Sequence, residues 1–202
     1  MDALTDEELL VLLKRGREDA FATLYDRHRR GLFLFLSRMC QSRPLAEEML
    51  QDVLFKVARS AASYEPRGRF KPWLYRIATN HCLNVLASRA QRSCRQTVPL
   101  AALETAGDAE RLLSGPPGES EAQGRVEAGE VRAAVRTALA GLDPRHRSAL
   151  LLRELERMSI QEIAQTLDLP QGTVKTYIHR GREKLRRRLI ASEVTDERGA
   201  VR

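Results

Sequence analysis

The stretch PQGTVKTYIHRGREKLRRRL, from Pro170 to Leu189, carries seven Lys or Arg side chains against one acid, Glu183. Side chains of that type at that density suit either a solvated basic helix or one that lies against a polyanion. With Val174 set at zero on a helical wheel, Ile178, Leu185 and Leu189 fall within about 60° of it, at about 100° per residue. Gly181 lies on the same side, where another helix can approach closely. Thr176, His179, Arg180 and Arg187 lie opposite. One face of this helix packs and the other is polar and cationic.

The elements that must position that face lie just upstream. Ile160, Ile163, Ala164 and Leu167 make a short amphipathic helix with a small residue at the expected crossing. Asp168-Leu169-Pro170-Gln171-Gly172 then makes a tight turn. Helix, turn and second helix together read as a helix-turn-helix. The outward residues Thr176, His179, Arg180 and Arg187 carry the site expected on the second helix, with Thr173 and Arg182 beside them. Its N-terminal outward residues would reach base edges and its later arginines phosphates. The plainer alternative is a helical hairpin whose outer face is merely soluble.

A second constellation lies in YEPRGRFKPWLYRIATNH. Tyr64, Phe70, Trp73 and Tyr75 alternate there with Arg67, Arg69, Lys71 and Arg76, following a Gly/Pro loop. Aromatic faces stack on unpaired bases for about 1–3 kcal/mol each while cations track the backbone. Arg76, Asn80, Asn84 and Gln91 line one polar face of the helix that follows. Trp73 and Tyr75 fit a core position as well as a base-stacking one.

Composition supports a polyanionic partner. The 202 residues carry a net charge of +7 and are 43% hydrophobic, enough for one or two small cores. The charge is divided: residues 1–98 hold 17 basic and 11 acidic side chains, 99–130 hold 2 and 7, and 131–190 hold 13 and 6. The middle piece contains SGPPGESEAQG, a run of turn and disorder formers. Arginines number 29 against 5 lysines, so a single Arg says little and its position must carry the meaning. Cys40, Cys82 and Cys94 are widely spaced without a CxxC pair, so neither a disulfide framework nor a metal site is expected, and no cofactor is implied. No signal peptide or membrane-spanning run is legible, and a soluble cytoplasmic protein is expected.

Both flanking pieces read as helical. Thr5-Asp6-Glu7-Glu8 is a capping-box pattern ahead of LLVLLKR, and Gly16 supplies a stop. Asp19 opens a long helical segment. Pro44 starts a third, striped by Leu45, Met49, Val53 and Val57, and a fourth follows Pro72. In the second piece, VRAAVRTALAGL ends at Gly141 and RHRSALLLREL follows Pro144. The expected fold is all-α: a domain at 1–95, a flexible acidic linker at 96–130, a helix-turn-helix domain at 131–190, and a disordered tail at 191–202.

These residues resemble a known family. AFATLYDRH, LAEEMLQDVLFKV and FKPWLYRIATN look like the promoter-melting domain of bacterial extracytoplasmic-function (ECF) sigma factors, of the sigma-70 family. ALLLRELERMSIQEIAQTLDLPQGTVKTYIHRGREKLRRRL resembles their second, helix-turn-helix domain. The resemblance covers about 150 residues with both domains in order. It implies that Glu48, Gln51 and Asp52 dock on the clamp helices of RNA polymerase. The loop from Tyr64 to Phe70 would capture a flipped base of the minus-ten element, with Arg76 and Asn80 beneath the strand. Lys175, Thr176, Tyr177, His179 and Arg180 would read the minus-thirty-five element, and the acidic linker would occupy the polymerase's RNA path. Core RNA polymerase, promoter DNA and an anti-sigma protein are the implied partners of a chain expected to be a monomer when free. Thr176-Tyr177 stands where relatives often have Ser-Arg, Asp168 where the turn frequently has Gly, and Leu142-Asp143-Pro144 replaces a usual Leu-Pro step.

Two other function classes fit parts of the chain. TVKTYI also suits one-component regulators of LuxR type, although residues 1–98 offer neither a phosphate-accepting Asp at a strand end nor an obvious ligand pocket. A helical interaction protein without a DNA role would bind duplex DNA with little salt dependence. An enzyme is disfavoured, since Walker-type loops, nucleophile elbows and metal spacings are absent from the sequence.

Overall fold

A computed structural model describes residues 4–61, 69–95 and 122–199. The described residues form eight helices: α1 (Asp6–Lys14), α2 (Glu18–Cys40), α3 (Arg43–Ser60), α4 (Phe70–Arg95), α5 (Ala122–Ala140), α6 (Pro144–Glu154), α7 (Ile160–Leu167) and α8 (Gln171–Gly199). The all-α architecture is the one the apolar spacing indicates. Tyr64, Arg67 and most of the acidic stretch, residues 96–121, lie outside the described residues.

Helix ends follow from local chemistry. Thr5 and Glu8 close a reciprocal capping box on α1, with Glu8 N donating to Thr5 Oγ1 at 3.2 Å and Thr5 N to Glu8 Oε2 at 2.7 Å. Such a cap contributes about 1 kcal/mol. Gly16, at φ +82°, turns the chain into α2 in a conformation open to glycine and strained for other residues. Pro44 sits in the first turn of α3, where its missing N–H costs nothing. For the same reason α4 tolerates Pro72 inside its first turn and starts two residues earlier, at Phe70.

Leu45, Met49, Val53 and Val57 are all buried, as their spacing of four predicts. They pack α3 against α2 and α4, each contributing about 1.5–3 kcal/mol of apolar burial. Leu32, Phe35, Leu36, Leu74 and Ala78 complete that core, with Phe35 edge-on to Tyr75 at 5.4 Å between ring centroids.

In the second domain Asp143 caps α6, accepting from Arg145 N at 2.9 Å, with Pro144 at the first helical position. The extra Asp in Leu142-Asp143-Pro144 is therefore the cap itself. Ser159 and Glu162 form a second capping box at α7. Asp168 ends α7 at φ 53°, the left-handed conformation that the turn requires at this position. Gly181 is buried against α6; a Cβ there would lie at ordinary contact distance, 3.5 Å from His146 O and 3.6 Å from Leu150 Cβ, so an alanine would fit as well.

The structure departs from the sequence expectations at two boundaries. α5 begins at Ala122, inside the stretch assigned to the linker, and α8 runs to Gly199, through most of the expected tail. Between Gly181 and Gly199 the chain has neither Gly nor Pro, so nothing stops the helix at 190. The two domains also pack together, a point on which the sequence is silent. α7 lies against α4 and α6 against α2, and one continuous buried cluster runs through both.

Candidate nucleic-acid interface

Helix α8 is held from behind. Val174 and Ile178 are buried, Leu185 is partly buried, and α6 and α7 cover that side. Lys175, Thr176, His179 and Arg180 are exposed on the other. Thr176 donates its hydroxyl back to Gly172 O at 3.0 Å. Thr173 is half-buried at the helix start.

Tyr177 differs from its neighbours. It packs against the core and against His146, the two rings tilted by 40° with centroids 4.5 Å apart. Its ring supports the helix from the side. Farther along, Arg182 is bound to Glu154 of α6, its Nε 3.0 Å and its Nη2 2.5 Å from one carboxylate oxygen, and Arg187 pairs with Glu183 one turn back. Both remain exposed and carry exchangeable surface pairs of the kind worth at most about 1 kcal/mol.

The constellation on α4 is split by burial. Phe70 is 1% exposed, wedged between His28 and Trp73 at centroid distances of 5.2 and 5.7 Å. Its ring is a core ring and is not presented to a base here. Tyr75 is buried too. Burial first, and then the neighbouring Glu156 carboxylate, push its phenol above the ordinary range. Trp73 is half-buried, while Arg69, Arg76, Asn80 and Asn84 are exposed. Asn80 and Asn84 line a groove of ≈ 570 Å³ whose far wall is Asp143, Pro144 and Arg145 at the start of α6.

On α3, Glu48, Gln51 and Asp52 share the exposed face opposite the buried stripe. Asp52 Oδ2 lies 3.0 Å from His81 Nε2, and Lys56 Nζ lies 2.5 Å from His81 Nδ1. Burial and the Lys56 charge lower the His81 pKa despite Asp52, so the ring is neutral at physiological pH. The sequence reading missed one member of this face. Phe55 is 63% exposed, beneath the Arg59 guanidinium at 5.7 Å from its ring centroid. Its place one turn beyond Gln51 and Asp52 was the available signal.

Two buried features also escaped the sequence reading. Arg147, 6% exposed, donates from Nη2 to Ala140 O at 2.6 Å and Leu142 O at 3.0 Å, and from Nη1 to Met39 O across the domain boundary. Glu156, in the turn between α6 and α7, meets Lys71 of α4 with its Oε2 2.9 Å from Nζ. Burial raises the Cys40 thiol and pushes that of Cys82 up to about 12, so both are protonated and unreactive at neutral pH.

Comparison with known proteins places this arrangement. Residues 24–92 match the family described as Sigma-70 region 2, and residues 132–185 that described as Sigma-70, region 4. Over 171 residues the chain is 36% identical to the RNA polymerase sigma factor CarQ of Myxococcus xanthus, covering 85% of this chain and 90% of that protein. Over 186 residues it is 30% identical to the ECF RNA polymerase sigma-E factor of Escherichia coli (strain K12), covering 91% and 94%. In fold it is similar to CnrH, solved in complex with the cytosolic domain of CnrY, at a TM-score of 0.64 and 22% identity over 92% of this chain and 97% of that one. It is likewise similar to the sigma factor RpoE of Bartonella quintana, solved in complex with the anti-sigma factor NepR, at 0.62 and 22% over 84% and 96%.

Proposed function

The chain belongs to the ECF class of the sigma-70 family of RNA polymerase sigma factors, and from that premise we propose how its surfaces divide the work. It is an initiation factor: it binds core RNA polymerase and recognises promoter DNA. It works in the cytoplasm, supplies binding energy and catalyses no reaction of its own. Residues 1–95 dock on polymerase and hold the melted minus-ten element, and residues 131–190 read the minus-thirty-five element.

The observation that carries this division is the exposed quartet Lys175, Thr176, His179 and Arg180, set opposite buried Val174 and Ile178. These four enter the major groove and meet base edges, with Thr173 beside them at the helix start. Tyr177 holds the helix in place, and Arg182 and Arg187 exchange their carboxylate partners for phosphates. On the first domain Arg69, Trp73, Arg76, Asn80 and Asn84 track the unpaired strand, with Tyr64 and Arg67 assigned to the same strand from the sequence alone. Glu48, Gln51, Asp52 and Phe55 bind the polymerase clamp, the aromatic ring acting as the apolar anchor of a polar patch.

The partners named for CnrH and RpoE support a further element of the reading. An anti-sigma protein holds this chain away from polymerase until a signal releases it.

The docking assignment is tested by Gln51→Ala combined with Asp52→Arg. Capture on immobilised core polymerase should fall at least tenfold, the equivalent of about 1.4 kcal/mol, with an unchanged circular dichroism spectrum. Full retention with an intact fold would remove α3 from the polymerase interface.

A further inference from the structure

The two domains carry 17 basic against 11 acidic side chains (residues 1–98) and 13 against 6 (residues 131–190), so their net charges repel each other. They meet nonetheless, through local pairs of opposite sign. Glu156 Oε2 lies 2.9 Å from Lys71 Nζ, the same ammonium donates to Glu156 O at 2.8 Å, and the carboxylate is hydrogen-bonded to the Tyr75 phenol. The Glu156 side chain is 10% exposed. Its seat depends on a missing side chain on α2: a Cβ on Gly31 would lie 3.0 Å from Tyr75 Oη and 3.4 Å from Glu156 Oε1. Next to it, Arg69 Nη1 lies 2.9 Å from Glu162 Oε1, and Thr166 Oγ1 donates to Pro72 O at 3.3 Å. The second domain thus places carboxylates on the cations that flank the start of α4.

Those cations lie where the unpaired promoter strand runs in the reading above, on which this inference rests. We propose that Lys71, Tyr75 and the cleft over Gly31 form an anion socket for a phosphate of that strand. In the free protein Glu156 fills the socket and Glu162 covers Arg69 beside it. A carboxylate and a phosphodiester each offer oxygens to an ammonium and a phenol, and only one of them fits at a time. The promoter itself forces the exchange. Elements centred near positions minus ten and minus thirty-five stand about 25 base pairs apart, or roughly 85 Å at about 3.4 Å per pair. Helix α7, which leads into the recognition helix, touches α4, so both elements are engaged only after the domains part. Parting empties the socket at the moment the strand becomes available.

The test uses the full chain and a labelled mixed-sequence single-stranded oligonucleotide, with affinity read by fluorescence anisotropy and the radius of gyration by small-angle scattering. Glu156→Gln with Glu162→Gln removes both charges, and Gln at 162 still completes the capping box of α7. This variant should bind about tenfold more tightly, the gain when a competent state populated at about 10% becomes dominant, and its radius should grow. Adding Lys71→Ala should cancel the gain in affinity and leave the larger radius. Gly31→Ala crowds Tyr75 Oη and Glu156 Oε1 from α2 and should raise the radius, but because it also narrows the cleft that would hold the phosphate it should not reproduce the gain in affinity. An unchanged affinity in the double Gln variant, or a gain that survives Lys71→Ala, overturns the socket. A radius that does not grow overturns the role of Glu156 as its occupant. Failure of the wild-type chain to direct promoter-dependent transcription with core polymerase is a different result, since it would sink the underlying promoter reading.

Discussion

Replacing Arg147 by Met probes the strongest tie between the domains. The guanidinium reaches three carbonyls: Met39 in the last turn of α2, Ala140 at the end of α5, and Leu142 in the turn before α6. The Met39 and Ala140 carbonyls belong to helix ends, which lack partners within their own helices. Hydrogen bonds from a charged donor contribute about 1.5–3 kcal/mol each. Three would give about 5–9 kcal/mol, but burial penalises the charge and lowers the Arg147 pKa, which offsets part of that sum. Met fills most of the volume without the desolvation cost, and water can reach some of the freed carbonyls. A net loss of about 3 kcal/mol follows, near the lower end of what removal of a buried charged partner costs. In a chain of this size that lowers Tm by about 6–12 °C. Urea titration followed by circular dichroism should show the matching fall in midpoint, and Arg147→Lys, with donors from a single nitrogen, should fall between. A Met variant within about 0.5 kcal/mol of wild type would refute the reasoning, because it would mean that burial already cancels the three bonds.

Arg180→Ala should relax preference at one or two positions of the upstream element by about 1–3 kcal/mol, whereas Arg187→Ala should weaken binding evenly and lower the salt slope by about one unit or less. Selection on a randomised element at two salt concentrations separates them, and identical sequence preferences in both variants would end the role of Arg180 as a base reader. Trp73→Ala should impair promoter opening more than closed binding, seen as fewer permanganate-reactive thymines; a loss of thermal stability alone would assign the half-buried ring to the core. Burial alone would raise the Asp6 pKa, but the His28 ring and the Arg27 guanidinium outweigh it and hold the carboxyl below the ordinary aspartate value of 3.8. The stabilisation is therefore complete above pH 3.8 and disappears as pH falls through the lower folded-state value. Asp6→Asn should cost about 1–2 kcal/mol at pH 7 and progressively less below pH 3.8, and a constant gap in urea midpoint across that range would contradict it.

What was legible in the sequence was what local pattern controls. The Leu45-Met49-Val53-Val57 stripe, the stop at Gly16 and the exposed quartet on α8 all depend on residues within a few turns of one another. Features that depend on distant partners were not. Phe70 follows a basic loop that suggests base stacking, yet its ring is claimed by His28 on α2. Tyr177 lies among the positions proposed to read bases, but its ring packs against His146 on α6. Arg147 looks like one more arginine in an arginine-rich chain, and its Met39 partner lies 108 positions away. The contact of Glu156 with Lys71 was hidden for the same reason, since charge totals for the two domains argue for repulsion.

The central claim is that this chain confers promoter selectivity on RNA polymerase. In vitro transcription with core polymerase on a library of randomised promoters tests it most directly. The expected result is a set of discrete transcripts, absent without the protein, whose templates share an upstream and a downstream element at a fixed separation. Transcription that does not depend on the protein would contradict the claim. So would selective binding to duplex promoter DNA by the protein alone with no transcript from core polymerase, the behaviour of a one-component regulator.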